Sequence, residues 1–190
     1  GGVNEAGVDM ISLIKQYELP YKFSAEVVDE AKEFGTKINP DDLYYRKDLR
    51  QDIIFTIDGE DAKDLDDAIH VEKLPNGNYK LDVHIADVSH YVREKTELDK
   101  EAYLRGTSIY MLGRVIPMLP RELSNGICSL NAGEDRYTLS CSMEITPNAK
   151  IVDSDIYKAV IRVTERMSYT DVQKILDKSD EDVLKKYEKY

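Results

Sequence analysis

Four aspartates concentrate carboxylate oxygens in one short stretch of the chain: Asp58, Asp64, Asp66 and Asp67. Oxygen-only donor sets suit Mg²⁺, Mn²⁺ or Ca²⁺, whereas zinc prefers histidine or cysteine. Two unit charges about 4 Å apart repel by about 4 kcal/mol at an effective dielectric constant of about 20, so converging carboxylates need a divalent cation or a proton to neutralise them. The stretch is therefore a candidate metal site. The alternative interpretation is a solvated acidic turn whose side chains point apart.

The acidic stretch does not have the pattern of an EF-hand calcium loop. With Asp58 as the first ligand, the fifth position is Ala62 and the position that requires glycine is Lys63. The chain also contains no Gly-x-Ser-x-Gly, no P-loop and no Gly-x-Gly-x-x-Gly motif. Serine-hydrolase and nucleotide-fold chemistry therefore have no local support in the sequence.

Two other sets of residues have side chains that could take part in chemistry. His84, Asp87 and His90 could form a metal-binding trio, but strand alternation places His84 on a polar face, which favours a hydrogen-bonded structural role. Cys128 and Cys141 have no activating sequence context, so we expect small buried hydrophobic side chains rather than nucleophiles.

The elements that must position these residues change along the chain from helical to extended patterns. Amphipathic spacing predicts short helices within residues 1–50, a helix over 97–105 and a charged helix from Tyr169 onward. Asn76-Gly77 predicts a hairpin turn, and residues 108–135 are expected to be mostly irregular. β-rich or alternating runs predict strands over 53–57, 68–71, 79–85, 137–145 and 151–164.

These patterns predict an α+β fold with a largely antiparallel sheet, a helical N-terminal lead-in and a C-terminal helix. Alternation of apolar and polar residues over 79–85 predicts a half-buried strand, and the same alternation over 137–145 is the clearest strand signal in the chain. No internal repeat or low-complexity tract interrupts this organisation.

The composition is globular, with an acidic excess. The 190 residues contain 26 Lys and Arg against 37 Asp and Glu, which gives a formal net charge of −11. On charge alone, this argues against a nucleic-acid partner, because surfaces that bind nucleic acids are normally basic. No apolar run approaches the roughly 20 residues that span a bilayer, so we expect no membrane association.

Two further expectations concern the cellular setting. Two cysteines without a repeated spacing argue against a disulfide framework, and no secretory signal is visible, so we expect a reduced, cytoplasmic location. Because the first residue is Gly1 rather than Met, we expect an excised or tagged segment of a longer protein.

At this point, three ordered blocks resemble the RNase II/RNase R family of exoribonucleases, in the catalytic region called the RNB domain. The blocks are Asp64-Leu-Asp66-Asp67-Ala-Ile, which follows Asp58, then His84-Ile-Ala-Asp87-Val-Ser-His90-Tyr-Val, and then Ile116-Pro-Met-Leu-Pro120-Arg-Glu-Leu-Ser124 with Cys128-Ser-Leu130. The similarity extends from about residue 7 to 175. The lead-in, from Gly7 to Pro20, resembles the RNase R branch more than RNase II.

The resemblance implies a processive, Mg²⁺-dependent hydrolytic exoribonuclease that works from 3′ to 5′ on single-stranded RNA and releases nucleoside 5′-monophosphates. Asp58, Asp64, Asp66 and Asp67 match the family aspartates that hold one or two Mg²⁺ ions, for which Mn²⁺ can substitute. Asp66 matches the aspartate most critical to catalysis. Tyr110 matches the family tyrosine that stacks against a base near the RNA 3′ end. No obligate protein partner is implied.

The family pattern also contains parts that cannot be matched to this chain. We interpret residues 1–50 as a lead-in and 51–190 as the N-terminal part of an incomplete catalytic domain. The family's later part supplies an essential arginine, a glutamate and a second stacking aromatic residue, and its flanking modules carry basic charge. We therefore expect little or no nuclease activity from these 190 residues alone. We also expect the hairpin over 136–164 to expose core surface and favour self-association.

Two other functions remain open at this point. The first is a catalytically degenerate member of the same family that binds RNA or acts as a scaffold. The second is an acidic Ca²⁺-binding or protein-interaction domain unrelated to RNA.

Overall fold

A seven-stranded mixed sheet forms the centre of the computed structural model, which describes residues 8–111 and 114–190. The first residues of the predicted lead-in, including Gly7, lie outside the described residues. The strands are β1 (Lys47–Leu49), β2 (Phe55–Asp58), β3 (Asp67–Lys73), β4 (Tyr79–Ala86), β5 (Ile109–Met111), β6 (Arg114–Ile116), β7 (Asp135–Ile145), β8 (Ile151–Arg162) and β9 (Glu165–Ser168).

The main sheet has the strand order β1-β8-β7-β4-β3-β2-β9, and β5 and β6 form a separate hairpin. The pairs β1–β8 and β2–β9 are parallel, and the four other pairs of the main sheet are antiparallel. A turn containing Gly77, with φ of +88°, joins β3 to β4, as the Asn-Gly signal predicts. The α+β class and the largely antiparallel sheet are confirmed.

Six α-helices lie at the two ends of the described chain and between the strands. They are α1 (Val8–Gln16), α2 (Ala25–Glu33), α3 (Val88–Tyr91), α4 (Glu97–Arg105), α5 (Tyr169–Asp177) and α6 (Glu181–Lys186), and a 3₁₀ helix spans Pro40–Tyr45. Ser24, Thr96 and Ser168 cap α2, α4 and α5 through their side-chain oxygens, which satisfies backbone donors that helices leave unpaired. Within the described residues, no helix is both long and apolar enough to cross a membrane.

Two segments differ from the sequence prediction. Residues 108–135 are irregular over only about half of their described positions, because they also contain the β5–β6 hairpin and a π-helical turn over Glu122–Ile127. The last part of the predicted helical lead-in contains β1, which joins the main sheet beside β8. These strands have three residues each, so cross-strand pairing forms them and periodicity cannot reveal them.

The strand alternation of β4 and β7 is present, and the polar side of these strands is the more deeply buried one. Asp82, His84, Thr138 and Ser140 are fully buried, whereas apolar side chains on the other face, such as Ile85, remain exposed. Partners within the sheet support the buried polar groups, since Lys80 pairs with Asp82 and Ser140 hydrogen-bonds to His84. Period-two alternation separates two faces of a strand and does not specify which face is covered.

The core lies between the helices, the sheet and the segment that contains the π-helical turn. Helices α2 and α4 contribute Val27, Ala31 and Leu98, which are buried in the same cluster as Leu123 and Leu130. This cluster also contains Leu65 of the acidic stretch, so the core reaches directly beneath the predicted site.

Candidate active site

The acidic loop, residues 58–67, connects β2 to β3 at one end of the main sheet and includes the last residue of β2 and the first residue of β3. Phe55 lies opposite Ile69 in the antiparallel β2–β3 pair, so the end of β2 lies beside the start of β3. This register brings Asp58, the last residue of β2, close to Asp67, the first residue of β3. The Oδ2 atom of Asp58 is buried and has no hydrogen-bond partner among the described residues.

A buried leucine and a buried serine fix the path of the acidic loop. Leu65 is fully buried, and its backbone N–H donates a 3.1 Å hydrogen bond to Oγ of Ser129. The Ser129 hydroxyl in turn donates to the carbonyl of Lys63 at 2.9 Å. Leu130 N–H donates to the carbonyl of Leu65 at 2.8 Å. In extended chain, side chains alternate in direction, so burying Leu65 turns the aspartates on either side of it outward.

An arginine on β9 holds the other half of the loop. Nη2 of Arg166 lies 2.9–3.0 Å from the carbonyl oxygens of Gly59, Glu60 and Ala62. Burial raises the pKa of Asp58, and the positive charge of the Arg166 guanidinium offsets only part of that rise. Sequence reasoning missed Arg166 because the parallel β2–β9 pairing joins segments about a hundred residues apart, and no local pattern signals it.

The carboxylates of the site destabilise one another's charged forms. Burial raises the pKa of Asp58, and repulsion from Asp67 and Asp64 adds to the rise. Desolvation also raises the pKa of Asp66, with further contributions from Asp64, Asp67 and Asp58. The four predicted aspartates therefore share one electrostatic environment, in which a bound cation would be stabilising.

Tyr110 lies beside this group of aspartates. It is located on β5, and its hydroxyl donates a 2.9 Å hydrogen bond to Oδ2 of Asp64, which is the main reason that its pKa is raised. The side chain is 67% exposed, so the ring remains available for contact with a ligand. An open cleft of about 400 Å³ lies next to it and includes Asp66 and Met118 in its lining. The volume is within the range of small-molecule sites.

The donor chemistry of the loop fits Mg²⁺ or Mn²⁺. All candidate ligands are carboxylate oxygens, and one of them, Oδ2 of Asp58, is buried without a partner in the described part of the chain. Across residues 8–111 and 114–190, no three His, Cys, Asp or Glu side chains already converge as a complete ligand set. The residues that could hold an ion are Asp58, Asp64, Asp66 and Asp67.

The second of the three sequence blocks forms structural contacts. The carboxylate of Asp87 forms a buried 2.7 Å ion pair with Arg46, and the ring of His90 packs edge-on against Tyr137. Nδ1 of His84 lies 2.8 Å from Oγ of Ser140. These contacts agree with the predicted structural role rather than with a metal trio.

Cys128 has the predicted properties of a packed side chain. It is buried, and burial raises the pKa of its thiol to about 12. At neutral pH the thiol is therefore protonated and a poor nucleophile. Cys141 is half-buried, and neither cysteine forms a disulfide in the described chain.

The fold and the acid-rich loop define a mixed α/β domain whose candidate site lies where β2 and β3 meet. The family model of the RNB domain matches residues 46–189. The chain therefore belongs to the RNB domain family, which confirms the resemblance seen in the three sequence blocks.

Several individual proteins that resemble this chain in sequence or structure are ribonucleases R. Ribonuclease R from Thermotoga maritima is 51% identical over 192 residues, an alignment that covers 100% of this chain and 27% of that protein. The solved structure of Mycoplasma genitalium RNase R in complex with ribose-methylated single-stranded RNA matches with a TM-score of 0.87 and 33% identity, covering 97% of this chain and 30% of that one. The chain thus spans less than a third of the length of these relatives.

A more distant structure shares the fold alone. Yeast Ssd1, described as a pseudonuclease, matches with a TM-score of 0.74 and 19% identity over 95% of this chain and 23% of that one. The fold by itself therefore does not establish nuclease activity.

Proposed function

We propose that this chain is the metal-binding part of a 3′-to-5′ exoribonuclease of the RNase R type. The observation that carries the proposal is the juxtaposition of the acidic loop with Tyr110, in a chain that belongs to the RNB domain family. The substrate is single-stranded RNA entering by its 3′ end, and the products are nucleoside 5′-monophosphates released processively in the cytoplasm. The name and bound RNA of the Mycoplasma genitalium structure support this substrate class.

In this proposal, Asp58, Asp64, Asp66 and Asp67 hold one or two Mg²⁺ ions, and Mn²⁺ can substitute. When bound, Mg²⁺ would act as a Lewis acid and lower the pKa of a water molecule for attack on the scissile phosphodiester. Asp66 is the catalytic carboxylate that we assign as essential.

The other residues orient the substrate and the loop. The exposed ring of Tyr110 stacks against a base near the 3′ end, a contact that tolerates every base and therefore suits an enzyme without sequence preference. Ser129 and Arg166 fix the loop backbone, so the carboxylates, which do not converge as a ligand set in the described chain, would move toward a cation on a backbone that is already held in place.

The proposal has a specific competitor within the same family. A degenerate member would bind RNA without hydrolysis, and Ssd1 is a pseudonuclease with the same fold. The presence of all four aspartates and their shared electrostatic environment favour hydrolysis.

The test is RNA decay by the complete gene product that contains this chain. Loss of one carboxylate ligand removes several kcal/mol of transition-state stabilisation, so Asp66→Asn is expected to slow decay by about a hundredfold or more. The matched control is Asp153→Asn, which makes the same change at an exposed position of β8. Unchanged decay by Asp66→Asn would refute the assignment, and RNA binding without decay by the parent would support the degenerate alternative. The 190-residue chain alone is expected to give little or no decay.

A further inference from the structure

Three open clefts adjoin one another beside the acidic loop. The first is the cleft next to Tyr110, and it shares Asp64 and Ser124 with a second cleft of about 560 Å³. The second shares Arg114 and Arg121 with a third cleft of about 480 Å³. The three clefts therefore form one groove that leads away from the aspartates.

Three basic side chains line the middle of this groove. Lys63, Arg114 and Arg121 are exposed, and within the described residues their side chains form no ion pair or hydrogen bond. Other arginines of the chain are paired with carboxylates: Arg46, Arg50, Arg105, Arg136 and Arg162. The groove also includes the acidic residues Asp61, Asp64, Asp66 and Glu122, so its positive charge is confined to the part that is lined by Lys63, Arg114 and Arg121.

The fold fixes where both arginines lie. Arg114 opens β6, in which the next residue, Val115, pairs directly with Tyr110 on β5. Arg121 comes directly before the π-helical turn, and Leu123 of that turn is fully buried. Both arginines are thus exposed side chains on backbone that the hairpin and the core hold in place.

The far end of the groove carries aromatic side chains. Tyr21 is 54% exposed and lines the third cleft together with Phe23, whose ring lies 3.7 Å from the guanidinium carbon of Arg105. Grooves that bind single-stranded nucleic acid combine cationic groups that follow the backbone with aromatic rings on which bases stack. Guanidinium groups also match the geometry of phosphate oxygens through paired N–H donors.

We infer that Arg114 and Arg121 bind phosphodiester groups of the RNA strand upstream of its 3′ end, with Tyr21 as a stacking surface further upstream. This inference rests on the proposed function, since it assigns a path to the same substrate. In a chain with a net charge of −11, these two side chains supply attraction where a polyanion would otherwise be repelled. They act in binding and positioning and not in the chemical step.

The test is equilibrium binding of a fluorescent oligoadenylate to the complete gene product in EDTA, which removes divalent cations and hydrolysis. The double variant Arg114→Ala/Arg121→Ala is called the groove variant. Its control is the double variant Arg93→Ala/Lys95→Ala, which removes two exposed positive charges outside the groove. Binding is measured over a range of salt concentrations. The groove variant is expected to bind about tenfold more weakly, with the salt slope of log K reduced by about 0.7 for each lost phosphate contact. The control pair is expected to keep the parent slope.

A charge-preserving variant separates binding from a folding defect. Arg114→Lys with Arg121→Lys is expected to restore the salt slope, while the loss of paired donors leaves affinity below that of the parent. Equal salt slopes for the parent and the groove variant would overturn the inference.

A separate RNA decay assay with Mg²⁺ distinguishes failure of the groove assignment from failure of the proposed function. RNA decay by the parent together with normal RNA binding by the groove variant would overturn the groove assignment alone. A parent that neither binds nor degrades RNA would overturn the proposed function and this inference together. Tyr21→Ala is expected to weaken binding without changing the salt slope, because stacking releases no counterions.

Discussion

The hydroxyl of Tyr110 donates a 2.9 Å hydrogen bond to Oδ2 of Asp64, which joins the β5–β6 hairpin to the acidic loop. One side chain therefore serves two purposes in the proposed site. Its hydroxyl orients a candidate metal ligand, while its exposed ring faces the adjoining cleft. The relationship links cation binding and base stacking through a single residue, and the two roles can be separated by substitution.

Substitutions of Tyr110 test this separation. Tyr110→Phe removes the hydrogen bond and keeps the ring, so RNA binding in EDTA is expected to stay close to the parent value. Tyr110→Ala removes both and is expected to lose about 1–3 kcal/mol of binding free energy, the usual contribution of one base–aromatic stack. Fluorescence anisotropy of a labelled RNA measures both variants. Equal losses in the two variants would assign the effect to the hydroxyl instead of the ring.

The acidic loop itself could be predicted from the sequence, because its carboxylates and the strands that flank it are neighbours along the chain. The contacts that shape the loop could not. Ser129 and Arg166 reach it through tertiary contacts across 64 or more residues, and a serine or an arginine in isolation carries no signal of such a contact. The three sequence blocks did imply the family, and with it the assignment of Tyr110, but not its hydrogen bond to Asp64.

The sheet shows a second limit of sequence reasoning. The alternation in β4 and β7 predicts two faces correctly, yet the polar face containing Asp82 and His84 is buried. Burial depends on what packs against each face, and that information lies in other parts of the chain. The ion pair of Asp82 with Lys80 and the hydrogen bond of His84 with Ser140 offset part of the cost of burying these groups, while Nε2 of His84 is buried without a hydrogen-bond partner among the described residues.

Ser129 provides a stability test of the loop anchor. Ser129→Ala removes the acceptor of the Leu65 N–H and the donor to the Lys63 carbonyl, at a fully buried position. Leaving a buried donor unsatisfied is expected to lower the free energy of unfolding by about 1–3 kcal/mol. Urea denaturation measures the change, with Ser124→Ala at a half-buried position as the control. Similar losses for both variants would argue against a special role of Ser129.

His84 gives a pH-dependent prediction. Burial lowers its pKa from 6.5 to about 4, against an opposing contribution from Asp82. Between pH 6.5 and about 4, His84 therefore binds more protons in the unfolded chain than in the folded protein. The free energy of unfolding consequently falls as the pH decreases through this range. The loss attributable to His84 approaches about 3 kcal/mol below the folded-state pKa.

The measurement is urea denaturation of the parent and of His84→Gln at a series of pH values. The variant is expected to lose less stability than the parent between pH 6.5 and about 4. The difference between the two proteins isolates His84 from the carboxylates that also titrate at acidic pH. Parallel pH profiles would show that His84 does not remain neutral in the folded protein.

The exposed apolar face of the main sheet predicts self-association of the 190-residue chain. Ile85 and Leu139 face each other across β4 and β7 and are 47% and 48% exposed, and Ile156 on β8 is 69% exposed on the same face. Contiguous apolar surface of this kind usually marks an interface. Size-exclusion chromatography with light scattering is expected to show dimers or larger species of the parent at high concentration. The double variant Leu139→Lys/Ile156→Lys is expected to form fewer of these species. A monomeric parent at all concentrations would contradict this prediction.

Divalent cation binding by the acidic loop tests the central claim most directly. The measurement is a Mn²⁺ titration of the complete gene product followed by EPR, in which free Mn²⁺ is distinguished from bound Mn²⁺. Asp58→Asn and Asp67→Asn are each expected to weaken binding by about tenfold or more, since each removes a charged ligand. The control Asp61→Asn removes the same charge from the same loop at a position that we do not assign as a ligand. A nearly unchanged affinity in this control is the result that we predict. No binding by the parent, or equal weakening by all three substitutions, would show that the loop is a solvated acidic turn and not a metal site.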